Sequence, residues 1–246
     1  MPDMAFRRHE KKYMMDQVRQ EAFLERVGGR LTADGYGQYT VSSLYYDTDS
    51  FALIRASIER PPYKEKLRLR CYGEAGDDTP VFLELKRKCG GVVYKRRARL
   101  ARQEAARLLE RGPYSLCGPC GRADSQVLRE IAYFLEAYPL SAKALLCCER
   151  RAFTAAGEGE LRITFDTGVR FRLDDLRLGA GLHGTPMLEP GKVIMEIKTP
   201  GAMPLWLCRA LSELGLFPAP FSKYGACYRW HICGGPGKAR EGGAHA

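Results

Sequence analysis

Three runs between residues 63 and 99 carry their charges on alternate positions, and nearly all of those charges are positive: YKEKLRLR (63–70), VFLELKRK (81–88) and VVYKRRAR (92–99). An extended strand points successive side chains to opposite faces. In the first run Lys64, Lys66, Arg68 and Arg70 therefore share one face, while Leu67 and Leu69 point the other way. Strands of this kind set side by side predict a wall of cations backed by an apolar layer. Such a chain must cover the apolar side and leave the cations to water or to an anion.

The charge is concentrated at these strands. Between positions 60 and 102, thirteen Lys or Arg stand against five Asp or Glu, a net of +8 out of +10 for all 246 residues. An excess so localised points to an anionic partner: nucleic acid, a membrane surface or a phosphorylated substrate. With 45% apolar residues there is ample sequence for a core. No stretch approaches the roughly 20 apolar residues that span a bilayer, and residues 1–12 are polar and charged rather than a leader. The nine cysteines are odd in number and dispersed, which predicts reduced thiols and a cytoplasmic protein. The motif Cys117-Gly-Pro-Cys120 has redox spacing, and Cys147-Cys148 could add thiolates for zinc. With no strand before CGPC, no second CxxC and four scattered histidines, a structural role is the expectation for both.

Along the chain, the pattern predicts a helix over residues 11–27, a strand over 39–46, a short helix over 50–57, and the three basic strands joined as hairpins. A helical segment over 103–109 follows, then an amphipathic helix over 124–138 with Asp124 as its cap and Pro139 as its stop. Further strands are expected over 144–152, 160–166, 169–173 and 192–198, a helix over 204–214, and a last strand over 221–230. Residues 1–233 are expected to form one domain and 234–246 a disordered tail. GxGxxG and GxxxxGK[ST] turns are absent, which argues against Rossmann and P-loop folds.

Alternating charge alone also suits the solvated face of an ordinary antiparallel sheet. Rows of like charge repel, however, unless an anion lies between them. Polar residues also alternate with apolar ones later in the chain, at Arg162, Thr164 and Asp166 and at Glu196 and Lys198. If these faces converge, the chain is an inside-out barrel of about eight strands with a charged lumen and helices covering its apolar exterior.

The ordered runs FRRHEKKY (6–13), VSSLYYDT (41–48), KEKLRLRCYG (64–73), FLELKRK (82–88), ERRAF (149–153), RITFDT (162–167), MEIKTP (195–200) and FSKY (221–224) resemble the VTC domain. That is the polyphosphate polymerase domain of the vacuolar transporter chaperone type, within the CYTH-like triphosphate tunnel metalloenzymes. The resemblance implies an α+β fold: an antiparallel β-barrel tunnel with peripheral helices, binding ATP and inorganic polyphosphate with Mn²⁺ or Mg²⁺. It marks Lys12, Arg68, Arg70, Lys86, Lys95, Arg97, Arg150, Arg162 and Lys223 as phosphate ligands, with Ser222 as a hydroxyl contact. Glu196 is marked as the metal ligand, and Arg68, Arg70, Lys86, Arg150 and Glu196 as the catalytic set. Asp166 and Glu10 also face inward on this reading, whereas Arg87 and Arg96 should face outward; Arg99 offers an alternative register.

The chain departs from the family's hydrolytic members, whose opening ExExK pattern is here Arg8, Glu10 and Lys12. One carboxylate that would activate water has become a cation. Pro220 stands where fungal members carry a basic group nearby. The implied activity is transfer of the ATP γ-phosphate to a polyphosphate chain. An inorganic triphosphatase and a non-catalytic polyanion-binding module are the alternatives. The basic runs have mainly aliphatic neighbours, which argues against a nucleic-acid module built on stacking.

Overall fold

A computed structural model describes residues 9–59, 61–90, 92–111, 122–155, 157 and 161–234. The CGPC motif, Arg8 and the expected tail from residue 235 onward lie outside the described residues. Among the described residues, nine strands form one antiparallel sheet: β1 (His9–Asp16), β2 (Leu31–Asp47), β3 (Tyr63–Tyr72), β4 (Pro80–Cys89), β5 (Val92–Ala101), β6 (Ser141–Ala155), β7 (Arg162–Arg172), β8 (Thr185–Pro186) and β9 (Lys192–Thr199). Their order is β1-β9-β7-β6-β2-β3-β4-β5, with β8 paired to β7.

The sheet is not closed by hydrogen bonds, since β1 and β5 are its two ends. It is curled all the same. Glu10 on β1 lies 3.8 Å from Lys86 on β4, although five strands separate β1 from β4 in the order. A flat sheet would hold those two strands some 28 Å apart at about 4.8 Å per step.

Helices cover the convex side. The outward residues Leu67, Leu69, Leu83, Leu85, Ala98 and Leu100 pack beneath α3 (Arg102–Arg111) and α4 (Arg122–Ala137), through Leu108, Ile131 and Phe134. Leu67, Leu83 and Leu85 are fully buried, each contributing about 1.5–3 kcal/mol relative to exposure. At the other end of the sheet, Tyr13, Met15, Ile163, Phe165, Met195 and Ile197 pack beneath α1 (Gln17–Val27) and α5 (Leu205–Glu213). The apolar half of each alternating strand thus lies under a helix, and the charged half is left on the concave side.

Three local expectations are corrected. The helix predicted from residue 11 begins only at Gln17, where Asp16 caps it by accepting from the Arg19 N–H at 2.8 Å. Residues 9–16 are strand because Tyr13 and Met15 meet the α1–α5 layer while Lys12 opposes Glu196 across the ladder. The strands expected over 160–166 and 169–173 are one strand, β7, and the irregularity lies opposite it, between Cys147 and Glu149 of β6.

The third correction matters most for the site. Residues 221–230, expected as a strand, instead form α6 (Lys223–Cys227) and a π-helical turn (Tyr228–Ile232). The Ser222 hydroxyl caps α6 by accepting from the Gly225 N–H at 3.2 Å. The segment lays Tyr224, Ala226 and Cys227 on an apolar patch of Tyr45, Ala144, Leu146 and Ile194, beside Ile54 of α2 (Ala52–Glu59). The buried Asp47 carboxylate ties the two helices together. It accepts from the Leu53 and Ile54 N–H groups at 2.9 and 3.0 Å and from the Tyr224 hydroxyl at 3.0 Å.

Candidate functional site: a cationic channel

The ladders settle which residues share the concave face. Lys64 stands opposite Lys88, Lys66 opposite Lys86, Arg68 opposite Glu84 and Arg70 opposite Phe82. From β5, Lys95 stands opposite Lys86 and Arg97 opposite Glu84. Tyr45 and Ser43 of β2 continue the Arg68 and Arg70 rungs. Across the channel, Arg150 pairs with Asp166, Thr164 with Glu196, and Glu196 with Lys12. The register of β5 is therefore the one with Lys95 and Arg97 inward. Arg87 and Arg96 point outward, as expected, where both reach Glu130 of α4 at 3.5 and 3.2 Å.

All eleven residues expected at the site border the concave side, from different elements and with different partners. The carboxylate of Glu84, 1% exposed, gathers Arg68 at 2.6 Å and Lys95 and Arg97 at 2.8 Å each. Burial alone would raise its pKa, but Arg68, Arg70 and Lys95 hold it well below the usual carboxylate range. Asp166, also 1% exposed, accepts from Arg150 at 2.6 and 2.7 Å and from Lys223 at 2.5 Å. Its burial is likewise overridden by Lys223 and Arg150, which keep it ionised. Lys223 thus reaches the channel from α6, held in place by a strand carboxylate. Ser222 reaches it too, its hydroxyl 3.4 Å from the Lys66 ammonium.

Glu196 pairs with Lys198 at 2.5 Å and Lys12 at 3.7 Å, and Lys12 also lies 3.4 Å from Glu10. Burial would raise the Glu196 pKa, but Lys198 and Lys12 pull it well below the ordinary value. Two carboxylates thus border one ammonium. Among the described residues, no group of three or more His, Cys, Asp or Glu is arranged to hold a metal ion. Arg162 sits at the rim, its side chain 47% exposed, against Asp34 at 3.2 Å and the Tyr39 hydroxyl at 3.4 Å.

Cations outnumber carboxylates, and the surplus is visible in two groups. Arg70 donates to the Ser43 hydroxyl at 3.2 Å and bonds the Tyr72 hydroxyl, with no carboxylate within ion-pair distance among the described residues. Lys66 also lacks one; its pKa is pushed down to about 8 by burial and by the neighbouring Lys86, Lys64 and Lys12, with Tyr45 opposing. Lys95 is pushed down to about 8 by burial as well, against the pull of Glu84. Its side chain is 42% exposed, so solvent moderates that effect and Lys66 carries more of it. Burial is the first cause of both shifts, and for Lys66 the crowding of like charges adds to it.

Sequence reasoning missed several members of this wall. Glu84 was legible as the one carboxylate on the inward face of its run. Lys66 and Lys198 were placed on the inward face by their alternation but given no role there. The rings of Tyr39, Tyr72 and Phe82 also reach the concave face, so the aliphatic neighbours seen along each run are not the neighbours in space. No local signal announced this, because the three rings come from three strands.

The sequence profile of the VTC domain matches residues 7–231. The chain belongs to the VTC domain family. This VTC domain is 28% identical over 162 residues to vacuolar transporter chaperone complex subunit 4 of Trypanosoma brucei brucei, a match that takes in 56% of the chain. The chain spans 20% of that relative's length. Its fold is shared by a candidate adenylate cyclase from Bacillus halodurans (TM-score 0.51, 15% identity, 87% of this chain and 92% of that one). It is shared also by a candidate adenylyl cyclase from Hippeastrum with a dominant triphosphatase activity (TM-score 0.53, 16% identity, 89% and 94%). The VTC domain is thus built on the sheet of these proteins, curled but left open between β1 and β5. Among the described residues, no helix is long and apolar enough to cross a membrane.

Proposed function

We propose that this VTC domain is a metal-dependent polyphosphate polymerase that transfers the γ-phosphate of ATP to a growing polyphosphate chain inside the channel. The observation that carries this reading is the surplus of cations on the concave wall, where, among the described residues, neither Arg70 nor Lys66 has a carboxylate within ion-pair distance. A linear polyanion supplies the missing charge in a row, as the strands supply theirs.

The chemistry asks little covalent work of the protein. A terminal phosphate oxygen of the chain attacks the γ-phosphorus, the bond from that phosphorus to the β–γ bridging oxygen breaks, and ADP leaves. The attacking oxygen is already anionic, so no general base is needed. What is needed is alignment of two polyanions and neutralisation of the charge that spreads over the transferred group. Arg68, Arg70, Lys86 and Arg150 are assigned that role, with Lys12, Lys95, Arg97, Arg162, Ser222 and Lys223 holding the flanking phosphates. Glu84 and Asp166 keep the guanidinium groups of Arg68, Arg97 and Arg150 in fixed orientations. Glu196, with Glu10 beside it, offers the hard oxygen donors that suit Mn²⁺ or Mg²⁺, phosphate oxygens completing the set. Such an ion, when bound, draws charge from the phosphoryl oxygens.

Incubation of the purified protein with ATP and Mn²⁺ should yield ADP and long phosphate chains on a gel. Free phosphate without chains would replace this reading with an inorganic triphosphatase. Binding of polyphosphate without any turnover would leave a polyanion-binding module. Glu196→Ala should abolish the metal dependence along with the product.

A further inference from the structure

At one end of the channel, where β3 finishes and β4 begins, the wall changes character. Tyr39, Tyr72 and Phe82 form a ladder of edge-to-face rings, with centroids 6.0 Å apart from Tyr39 to Tyr72 and 5.6 Å from Tyr72 to Phe82. Tyr36, 83% exposed, extends it by another edge-to-face contact. The Arg97 guanidinium lies 4.1 Å from the Phe82 ring centre and donates to the Tyr72 hydroxyl at 2.9 Å. Phe82 also stands directly opposite Arg70 on the ladder.

These rings are not simply core. Tyr72 and Phe82 belong to none of the three apolar clusters, and Tyr72 remains 36% exposed. Tyr72 and Phe82 lie on the concave face, away from the helical layers, while Tyr39 on the same face also packs against the cluster that holds α6. A bare polyphosphate has no use for them, having neither a π-face nor apolar surface. A planar heteroaromatic base does, since it stacks on aromatic rings and on guanidinium planes alike.

We propose that Tyr72, Phe82 and Tyr39, with the Arg97 guanidinium, form a nucleobase subsite at the channel mouth, which seats the base of a nucleoside triphosphate while its phosphates reach inward to Arg70. This rests on the reading of ATP as phosphate donor. It gives the channel a direction: the nucleoside end stays at the ring-lined mouth and only phosphate proceeds.

Calorimetric titration of the full chain with ATP and, separately, with inorganic tripolyphosphate tests it. Tyr72→Leu should raise the Kd for ATP about tenfold, equivalent to about 1.4 kcal/mol, and leave that for tripolyphosphate within about twofold. Tyr72→Phe, which keeps the ring and drops the hydroxyl, should retain ATP affinity. Tyr39→Leu gives a second test should Tyr72→Leu fail to fold. Wild-type protein should quench the fluorescence of etheno-ATP on binding, and Tyr72→Leu should lessen the quench. Equal weakening of both ligands would overturn the proposal, because the rings would then merely brace Arg97 and Arg70. So would an unchanged Kd for ATP. Ring-dependent ATP binding without chain formation would instead sink the polymerase reading and leave the subsite standing.

Discussion

Strands β3, β4 and β5 present arginines to both of their faces, and the two sets live under different electrostatics. On the convex face, Arg87 meets Glu65 at 2.8 Å and Glu130, and Arg96 meets Glu130 as well. Charges there alternate in sign, and the helix α4 supplies the balance. On the concave face, Arg68, Lys95 and Arg97 pair with the single carboxylate of Glu84, while Arg70 bonds the Ser43 and Tyr72 hydroxyls and has no carboxylate within ion-pair distance among the described residues. On β5 neighbouring arginines divide in this way, Arg96 serving as scaffold on one side while Arg97 competes with other cations for Glu84 on the other. What separates the two is the company each keeps, which is a property of the face.

The largest effect that would test this contrast is loss of an unbalanced cation. Arg70→Ala should lower turnover at least about 100-fold, the scale set by removing one preorganised group that stabilises developing charge, as measured by chain formation from ATP. Stability in urea should fall less than on loss of Arg68, because Arg70 bonds hydroxyls and acts on the buried Glu84 only from beyond ion-pair distance. A variant with near-normal turnover would break the contrast.

A smaller effect concerns pH. The lysine pKa values near 8 lie below the ordinary lysine value, and the protonated form is the one that binds an anion. Affinity is therefore fully expressed below pH 8 and falls as pH rises through it. Tripolyphosphate binding at constant ionic strength should weaken about tenfold from pH 7 to pH 9 if one such lysine titrates out of the site. Lys66→Arg should flatten that fall, as a guanidinium keeps its charge throughout. A flat wild-type profile would mean that the channel does not depress its lysines.

The smallest effect belongs to the convex face. Arg96→Ala should leave tripolyphosphate affinity unchanged and alter urea stability by no more than about 0.5 kcal/mol, as for an exposed ion pair. Any large loss of phosphate binding would mean that the two faces are not electrically separate.

Much of the wall was readable from alternation alone. Arg68 and Arg70, with leucines between them, could not be placed on one face without putting Leu67 and Leu69 under a covering layer, and α3 and α4 provide that layer. Lys95 and Arg97 were readable only up to a one-residue slip, because Arg96 and Arg99 offered other choices. The ladder to Glu84 and Lys86 removed the ambiguity. Residues 221–230 could not be read at all by local pattern. Their tyrosines and Trp230 suit a strand, yet the patch around Tyr45 and Ile194 favours a capped helix. For the same reason the chain order does not reveal that Lys223 and Asp166 form a pair.

By itself, the sequence determined that these strands have two unlike faces, that the cations concentrate on one of them, and that the ordered motifs are those of a VTC domain. Period-two alternation is a local property of an extended backbone and needs no partner to be read. Tertiary structure alone decided how those faces meet. It chose the curl that brings Glu10 to Lys86, the carboxylates that hold each guanidinium, the helix that carries Lys223 inward, and the rings that gather at one mouth. Each of these joins residues far apart in the chain, and such contacts are set by the register and curvature of the whole sheet, quantities that no short segment encodes.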